Sequence, residues 1–347
     1  MVHRIGITAG AVIAAIIAST ARAGEIKKFD FTQPKMGTVF HLVLYTDDQA
    51  KADAAAAAAW KRVDELNRTL SDYDPQSELS RLSQRTDDGP MSEPVKVSDD
   101  LWRVLTRSVE AAKLSDGAFD VTVGPYVRLW RRARQTRTLP DPADLQAAKA
   151  AVGYEKIKLD EKTHGVQLLA QHMRLDLGGI AKGYTAGQAL AVLKKRGIDR
   201  ALFGAAGDLA AGDPPPGREY WRVAIQSLEA PDQTAGYVRL ANAAVSTSGD
   251  TYRFVEIGGK RYSHIVDSKT GMGLTDRIGA TVIAPDPVTS DWMATALCAM
   301  GPEKGLALAD RTPATAGRIV TIDGAAKAKV FESSRWKDFV IHPELEK

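Results

Sequence analysis

The 347-residue sequence has one cysteine and little net charge, and each shortage excludes a class of protein. A single cysteine, Cys298, cannot form an intramolecular disulfide framework or a cysteine-rich zinc site. A formal net charge of +3 is too small, by itself, to indicate a nucleic-acid partner. The hydrophobic share of 44% and the charged share of 26% are those of an ordinary globular protein. The length allows one large or two ordinary domains.

The one long apolar run lies at the N-terminus and is typical of a secretory leader. His3 and Arg4 precede apolar residues 5–18, and Ala21-Arg22-Ala23 supplies the small residues of a cleavage site. The run is shorter than the roughly 20 residues that span a bilayer, so we favour a signal peptide of residues 1–23 over a membrane anchor. No cysteine follows for a lipid anchor. We therefore expect an exported protein that does not span the membrane, periplasmic in a Gram-negative bacterium.

Hydrophobic patterning of the remaining chain mixes helices with short strands. The sequence predicts a strand at Thr38–Thr46 and helices at about 48–70, 98–116, 146–152, 190–196 and 290–300. Further strands are predicted at Trp221–Gln226, 252–257, 262–266, 278–284, 318–322 and 338–341. Residues 71–89 and 203–217 are predicted as loops, and the basic run 131–137 as a solvated loop. Helices mixed with hairpin-like strands indicate an α+β protein.

Two segments combine glycine with charged or hydroxyl-bearing residues in patterns that suit a site. Residues 176–184 pass from a strand end through Gly178-Gly179 into a helix start, where free backbone amides favour phosphate. A tight turn capped by Asp176 is the alternative. Asp291 and Thr295 stand four residues apart on a helix, so their oxygens share one face and suit Mg²⁺. A capping aspartate and a structural threonine are the alternative.

Two further segments offer a base and a ring. Within residues 263–271, His264 can act as a general base near neutral pH, although a lone histidine is often structural. Within residues 117–125, Phe119 can stack on a planar ring and Asp120 can accept bonds from its polar edge. A simple loop leading to a strand explains this last segment equally well.

Taken together and in this order, these segments resemble the ApbE family of FAD:protein FMN transferases. Three further motifs extend the resemblance: Pro34-Lys35-Met36-Gly37-Thr38, residues 70–79 (LSDYDPQSEL) and residues 245–250 (VSTSGD). The resemblance covers about residues 30–310. It implies an ApbE-like, T-fold-like arrangement of mixed helices and antiparallel sheets, with residues 24–347 forming one catalytic unit.

The resemblance also implies a reaction and its residues. Family members use Mg²⁺ to cleave FAD, transfer FMN to a Thr or Ser hydroxyl of an acceptor flavoprotein, and release AMP. The acceptors implied are flavoprotein subunits of membrane redox complexes. By motif matching, the metal is held by the carbonyl of Gly179 and the side chains of Asp291 and Thr295, with His264 as candidate base. The residues implied to contact FAD are Met36, Ala118, Phe119, Asp120, Asp176, Lys182 and Ile265.

Two departures from the family pattern stand out. Residues 204–208 read Gly-Ala-Ala-Gly-Asp where the family often has Asn-Ala-Gly-Gly-Asp, and Ser268 stands where proline is usual. Two other functions stay open at this point. One is a Mg²⁺-dependent FAD pyrophosphatase that uses water as acceptor, and the other is a flavin-binding protein without catalysis.

Overall fold

The computed structural model describes residues 25–205, 207–230, 232–323 and 327–341, so the predicted signal peptide lies outside the described residues. The helices are α1 (Gln49–Leu70), α2 (Glu78–Gln84), α3 (Asp99–Leu114), α4 (Gly124–Thr136), α5 (Pro142–Lys149), α6 (Ala181–Lys194) and α7 (Pro287–Arg311). The strands are β1 (Lys27–Lys35), β2 (Thr38–Thr46), β3 (Val95–Lys96), β4 (Ile157–Asp160), β5 (Gly165–Leu168), β6 (Ala201–Ala205), β7 (Asp208–Ala211), β8 (Trp221–Gln226), β9 (Thr234–Leu240), β10 (Ala243–Gly249), β11 (Phe254–Ile257), β12 (Lys260–Ser263), β13 (Arg277–Ala284), β14 (Ala316–Ile322), β15 (Ala328–Glu332) and β16 (Val340–Ile341).

An eight-stranded antiparallel sheet, in the order β1-β2-β6-β7-β10-β13-β14-β15, is the centre of the fold. Successive side chains of a strand point to opposite faces. Ala244 of β10 accordingly packs among helices α1 and α6, whereas Val245 packs against the small sheet β16-β9-β8. Val282 and Ile283 of β13 divide in the same way. The layered arrangement of helices and antiparallel sheets confirms the predicted α+β class.

The local signals for helix ends act as predicted. The side chain of Asp48 accepts the N–H of Lys51 and caps α1, and Ser98 caps α3. Gly197 follows α6 with a φ of 73°, the left-handed conformation of a helix stop. Gly301, also left-handed with a φ of 74°, breaks α7 where the sequence predicts an end, and a further helical stretch continues to Arg311.

Three predicted loops are wrong. Residues 203–211 form most of the hairpin β6–β7, because small side chains there fit between two packed layers despite their weak strand propensity. The basic run 131–137 lies mostly in α4, whose other face buries Trp130 and Ala133. The polar segment 71–89 contains α2, which Ser77 caps by accepting the N–H of Ser80. In each case contacts with distant parts of the chain define the element.

Candidate active site

The site begins where α6 and α7 approach each other most closely, at Gly183. A Cβ atom at this position would lie 1.9 Å from the carbonyl oxygen of Pro287 and 2.8 Å from the Cβ of Asp291. The absence of a side chain therefore permits the contact between the helices. In that contact the N–H of Gly183 donates to Oδ2 of Asp291 at 2.8 Å. The start of α6 thus holds the carboxylate of α7 in place.

A buried charge cluster joins three elements at this contact. Lys182 of α6 forms an ion pair with Asp208, the first residue of β7, and its Nζ lies 3.8 Å from Oδ1 of Asp291. Both aspartates are at least 98% buried. Burial, and then the nearby charge of Asp208, raises the pKa of Asp291 to about 7. Burial disfavours the charged form of Lys182, but the two carboxylates outweigh it and raise the pKa of its ammonium.

Neutral oxygen donors lie beside this cluster. Oγ1 of Thr295 is one turn along α7 from Asp291 and lies 3.1 Å from Oγ of Ser248 in β10. A Cβ on Gly179 would lie 2.9 Å from the same Oγ1, so the backbone of Gly179 meets Thr295 directly. The three residues implied to hold a metal are therefore neighbours in space. Loop, helix and strand each contribute an oxygen atom.

The donor set fits a hard divalent cation. Within the described residues, no group of three or more His, Cys, Asp or Glu side chains is placed to hold a metal ion. A metal between Asp291 and Thr295 would instead take carboxylate, hydroxyl and carbonyl oxygens, the ligands that Mg²⁺ prefers. In addition, Oδ1 of Asp208 is buried without a hydrogen-bond partner, which leaves an acceptor open to a cation or its water. The sequence motif that contains Asp208 was recognised, but no role was predicted for it.

His264 follows β12 and is held in one tautomer. Its Nδ1 lies 3.0 Å from the carbonyl oxygen of Arg253, and its backbone N–H donates to the same oxygen at 3.0 Å. A carbonyl only accepts, so Nδ1 carries the proton and Nε2 keeps the lone pair of a base. Burial, and then the positive charges of Arg253, Arg134 and Lys182, lowers the pKa of His264 to about 4. His264 is therefore neutral at pH 7.

The lowered pKa of His264 predicts where activity fails in acid. We expect kcat/KM to stay level from pH 7 down to about pH 5 and to fall as His264 is protonated near pH 4, not near the ordinary value of 6.5. His264→Gln should lower activity at pH 7 by about 10²- to 10⁴-fold, the usual contribution of a general base. A pH profile of AMP release from FAD measures both. A wild-type acid limb centred at 6.5 would contradict the assignment.

A second ionic cluster lies at the other end of the Asp176–Gly179 segment. Arg131 of α4 pairs with Asp72 and lies 3.3 Å from Oδ2 of Asp176, and its guanidinium stacks 3.9 Å from the ring centroid of the exposed Tyr73. Burial, and then the charge of Asp72, raises the pKa of Asp176 to about 6. The cluster borders a cleft of about 100 Å³ that Arg128 and Arg174 also line. The predicted solvated loop is thus replaced by a structured ion-pair network.

Comparison with known proteins places this chain. A family model described as the ApbE family matches residues 36–319, which is most of the sequence. The chain belongs to the ApbE family.

Curated ApbE relatives and solved ApbE structures agree with this placement. A FAD:protein FMN transferase of Haemophilus influenzae is 30% identical over 329 residues, covering 91% of this chain and 93% of the relative. One from Vibrio cholerae is 30% identical over 313 residues, covering 88% and 91%. The structure of the flavin transferase ApbE from Vibrio cholerae superposes with a TM-score of 0.80 at 27% identity, over 91% of this chain and all of the other. The apo form of the Pseudomonas stutzeri flavinyl transferase ApbE gives 0.79 at 28% identity, over 91% and 97%.

The remaining residues implied by the ApbE resemblance surround these clusters. Phe119 is buried, with its ring against Gly179 and 6.1 Å from the ring of Trp292. Both carboxylate oxygens of Asp120 are bound within the fold, by the N–H and hydroxyl of Thr122 and by the N–H of Tyr154. This arrangement makes Asp120 the centre of a turn. Its contact with FAD stays a prediction.

Met36, Ala118 and Ile265 lie farther along the same elements. Met36 occupies a left-handed turn with a φ of 48°, and its Sδ accepts the hydroxyl of Thr185 from α6 at 3.7 Å. Ala118 is half-buried beside Phe119. Ile265 is buried, and its carbonyl accepts the N–H of Leu274 at 2.9 Å. The structure describes their positions, and their contacts with FAD stay predictions.

Proposed function

We propose that this chain transfers the FMN part of FAD to a Thr or Ser hydroxyl of an acceptor flavoprotein and releases AMP, with Mg²⁺ bound between α6 and α7. The observation that carries the proposal is the meeting of Gly179, Asp291 and Thr295 beside the Lys182–Asp208 ion pair. Its supports are membership of the ApbE family and relatives named FAD:protein FMN transferase.

In this proposal the metal would be held by the side chains of Asp291 and Thr295 and the carbonyl of Gly179. Bound there, Mg²⁺ would neutralise pyrophosphate charge and favour attack at phosphorus. The Gly183 N–H and the Lys182 ammonium fix the carboxylate of Asp291, so the donor atoms are positioned before FAD arrives. Asp208 in turn holds Lys182.

The protein's own acid–base step is assigned to His264. Nε2 accepts the proton of the acceptor hydroxyl as its oxygen bonds to the phosphorus on the FMN side. The bond from that phosphorus to the bridging oxygen breaks, and AMP departs with the bond's electron pair. A phosphodiester links FMN to the acceptor, and the proton on His264 is returned to solvent or to AMP. Neutral His264 at pH 7 is in the form that this step requires.

Transfer is tested with the chain lacking residues 1–23, FAD, Mg²⁺ and a flavoprotein domain that bears a candidate threonine. We expect in-gel flavin fluorescence that survives denaturation, an acceptor mass gain that matches FMN, and AMP release of equal amount. AMP release without acceptor labelling would favour the pyrophosphatase that uses water. FAD binding without AMP release would contradict catalysis.

We also propose that the chain is exported and acts on flavoprotein subunits of membrane redox complexes. The supports are the leader-like residues 1–23 and the family resemblance. Within the described residues no helix has the length and apolar character to cross a membrane. Mass spectrometry of the chain recovered from a periplasmic extract should give an N-terminus at Gly24. An intact N-terminus in the cytoplasmic fraction would contradict export.

A further inference from the structure

Arg253, in the connection between β10 and β11, is attached through its backbone to the candidate base. Its carbonyl oxygen accepts both the N–H and the Nδ1–H of His264, each at 3.0 Å. The position of Arg253 and the orientation of the imidazole are therefore set by the same two hydrogen bonds. The carbonyl makes these contacts whatever side chain residue 253 carries.

A buried ion pair holds the chain on both sides of Arg253. Nε of Arg261 donates to Oδ2 of Asp250 at 2.6 Å, and Asp250 is 99% buried. The same guanidinium lies 3.2 Å from the ring centroid of Phe254. Asp250 precedes Arg253 by three residues and Phe254 follows it directly, so the hairpin β11–β12 clamps this segment. Arg253 thus stands on a rigid support, although its side chain is exposed.

The guanidinium of Arg253 differs from the other cations of the site in having no partner. Lys182 is paired with Asp208, Arg131 with Asp72 and Arg261 with Asp250. Within the parts of the chain that the structure describes, no hydrogen bond or ion pair engages the side chain of Arg253. A cation held beside a base with no acidic neighbour is available to an anionic ligand.

Counting formal charges shows what such a cation can do. Lys182, Asp208 and Asp291 together carry one net negative charge, which a divalent metal converts to one net positive charge. The pyrophosphate of FAD brings two negative charges, which leaves one uncompensated, and neutral His264 adds none. The charge of Arg253 balances that remainder.

We propose that the guanidinium of Arg253 binds non-bridging phosphoryl oxygens of the FAD pyrophosphate and stabilises the negative charge that develops as the bond to AMP breaks. This inference rests on the proposed function and adds a catalytic residue to it. The planar, permanently charged guanidinium suits two phosphoryl oxygens at once, whereas an ammonium acts as a single point charge. Its place beside His264 puts charge neutralisation and proton removal at the same phosphorus.

The test compares Arg253→Met and Arg253→Lys with Arg132→Met, a matched control that removes an exposed, unpaired guanidinium from α4. We expect Arg253→Met to lower kcat for AMP release by about 10²-fold with KM for FAD changed less than about 3-fold. Arg253→Lys should recover part of the rate, and Arg132→Met should equal the wild type. All three should keep the wild-type Tm, because the contact with His264 is made by the backbone.

A second readout does not depend on turnover. Calorimetric titration with inorganic pyrophosphate and Mg²⁺ should give a Kd about 10-fold weaker in Arg253→Met and unchanged in Arg132→Met. Equal behaviour of the two methionine variants in both measurements would overturn the role of Arg253, and so would a rate loss accompanied by a lower Tm. If the wild type releases no AMP, the proposed function fails, while pyrophosphate binding still decides whether Arg253 is a phosphate ligand.

Discussion

Asp291→Asn is expected to reduce Mg²⁺-dependent AMP release by about 10³-fold while FAD binding changes little. Asparagine has the same shape, and its amide oxygen can still accept the N–H of Gly183. It lacks the negative charge, however, and a neutral amide is a much weaker ligand for Mg²⁺ than a carboxylate. The loss should therefore appear in the metal-dependent step, with a raised Mg²⁺ requirement and a wild-type Tm.

Asp286→Asn is the matched control for this substitution. Asp286 caps the same helix by accepting the N–H of Thr289 at 3.0 Å, and asparagine caps about as well as aspartate. The control should therefore keep wild-type turnover and Mg²⁺ dependence. Turnover in Asp291→Asn that equals the control at limiting Mg²⁺ would remove Asp291 from the metal site, and with it the central support of the proposed function.

Gly183→Ala should have the largest effect on stability. The new Cβ would lie 1.9 Å from the carbonyl oxygen of Pro287, a backbone atom that cannot turn aside, so α6 and α7 would have to separate. Overpacking of a well-packed contact costs about 1–3 kcal/mol, occasionally more, and we expect at least the upper part of that range in the free energy of unfolding. Thermal and urea unfolding measure it.

Separation of these helices should also impair the site. The N–H of Gly183 would move away from Asp291, so Mg²⁺ affinity should fall together with stability. Gly187→Ala, one turn later on α6, is the control, since its Cβ would meet Cγ of Pro287 at 3.0 Å and no backbone atom within 4 Å. A smaller loss is expected there, offset by the higher helix propensity of alanine. Equal stability of the two variants would show that the helices do not pack as closely as described.

Local patterns predicted elements whose signals lie within a few residues. The cap at Asp48, the alternation in Thr38–Thr46 and the left-handed stops at Gly197 and Gly301 concern neighbouring residues alone, so they could be read directly. The spacing of Asp291 and Thr295 belongs to the same class, because one helical turn places them on one face. The resemblance to the ApbE family added the joint order of the motifs.

Other features depend on packing between segments far apart in the sequence. Hairpin β6–β7 is rich in glycine and alanine, and it forms a strand pair only because two layers cover it. Helix α4 carries a basic run, and its buried face exists only where Trp130 meets Tyr262, with ring centroids 5.1 Å apart. Neither environment can be derived from the segment itself.

The sequence by itself determined the α+β class, the main helices and the types of residue at the site: oxygen donors at Asp291 and Thr295, a base at His264 and a cation at Lys182. The tertiary structure decided how they are used. It brought Asp208 onto Lys182 across 26 residues, fixed the tautomer of His264 through Arg253 and left the guanidinium of Arg253 unpaired within the described chain. Charge pairing, burial and the pKa values that follow depend on distances between side chains, and only the folded backbone sets those distances.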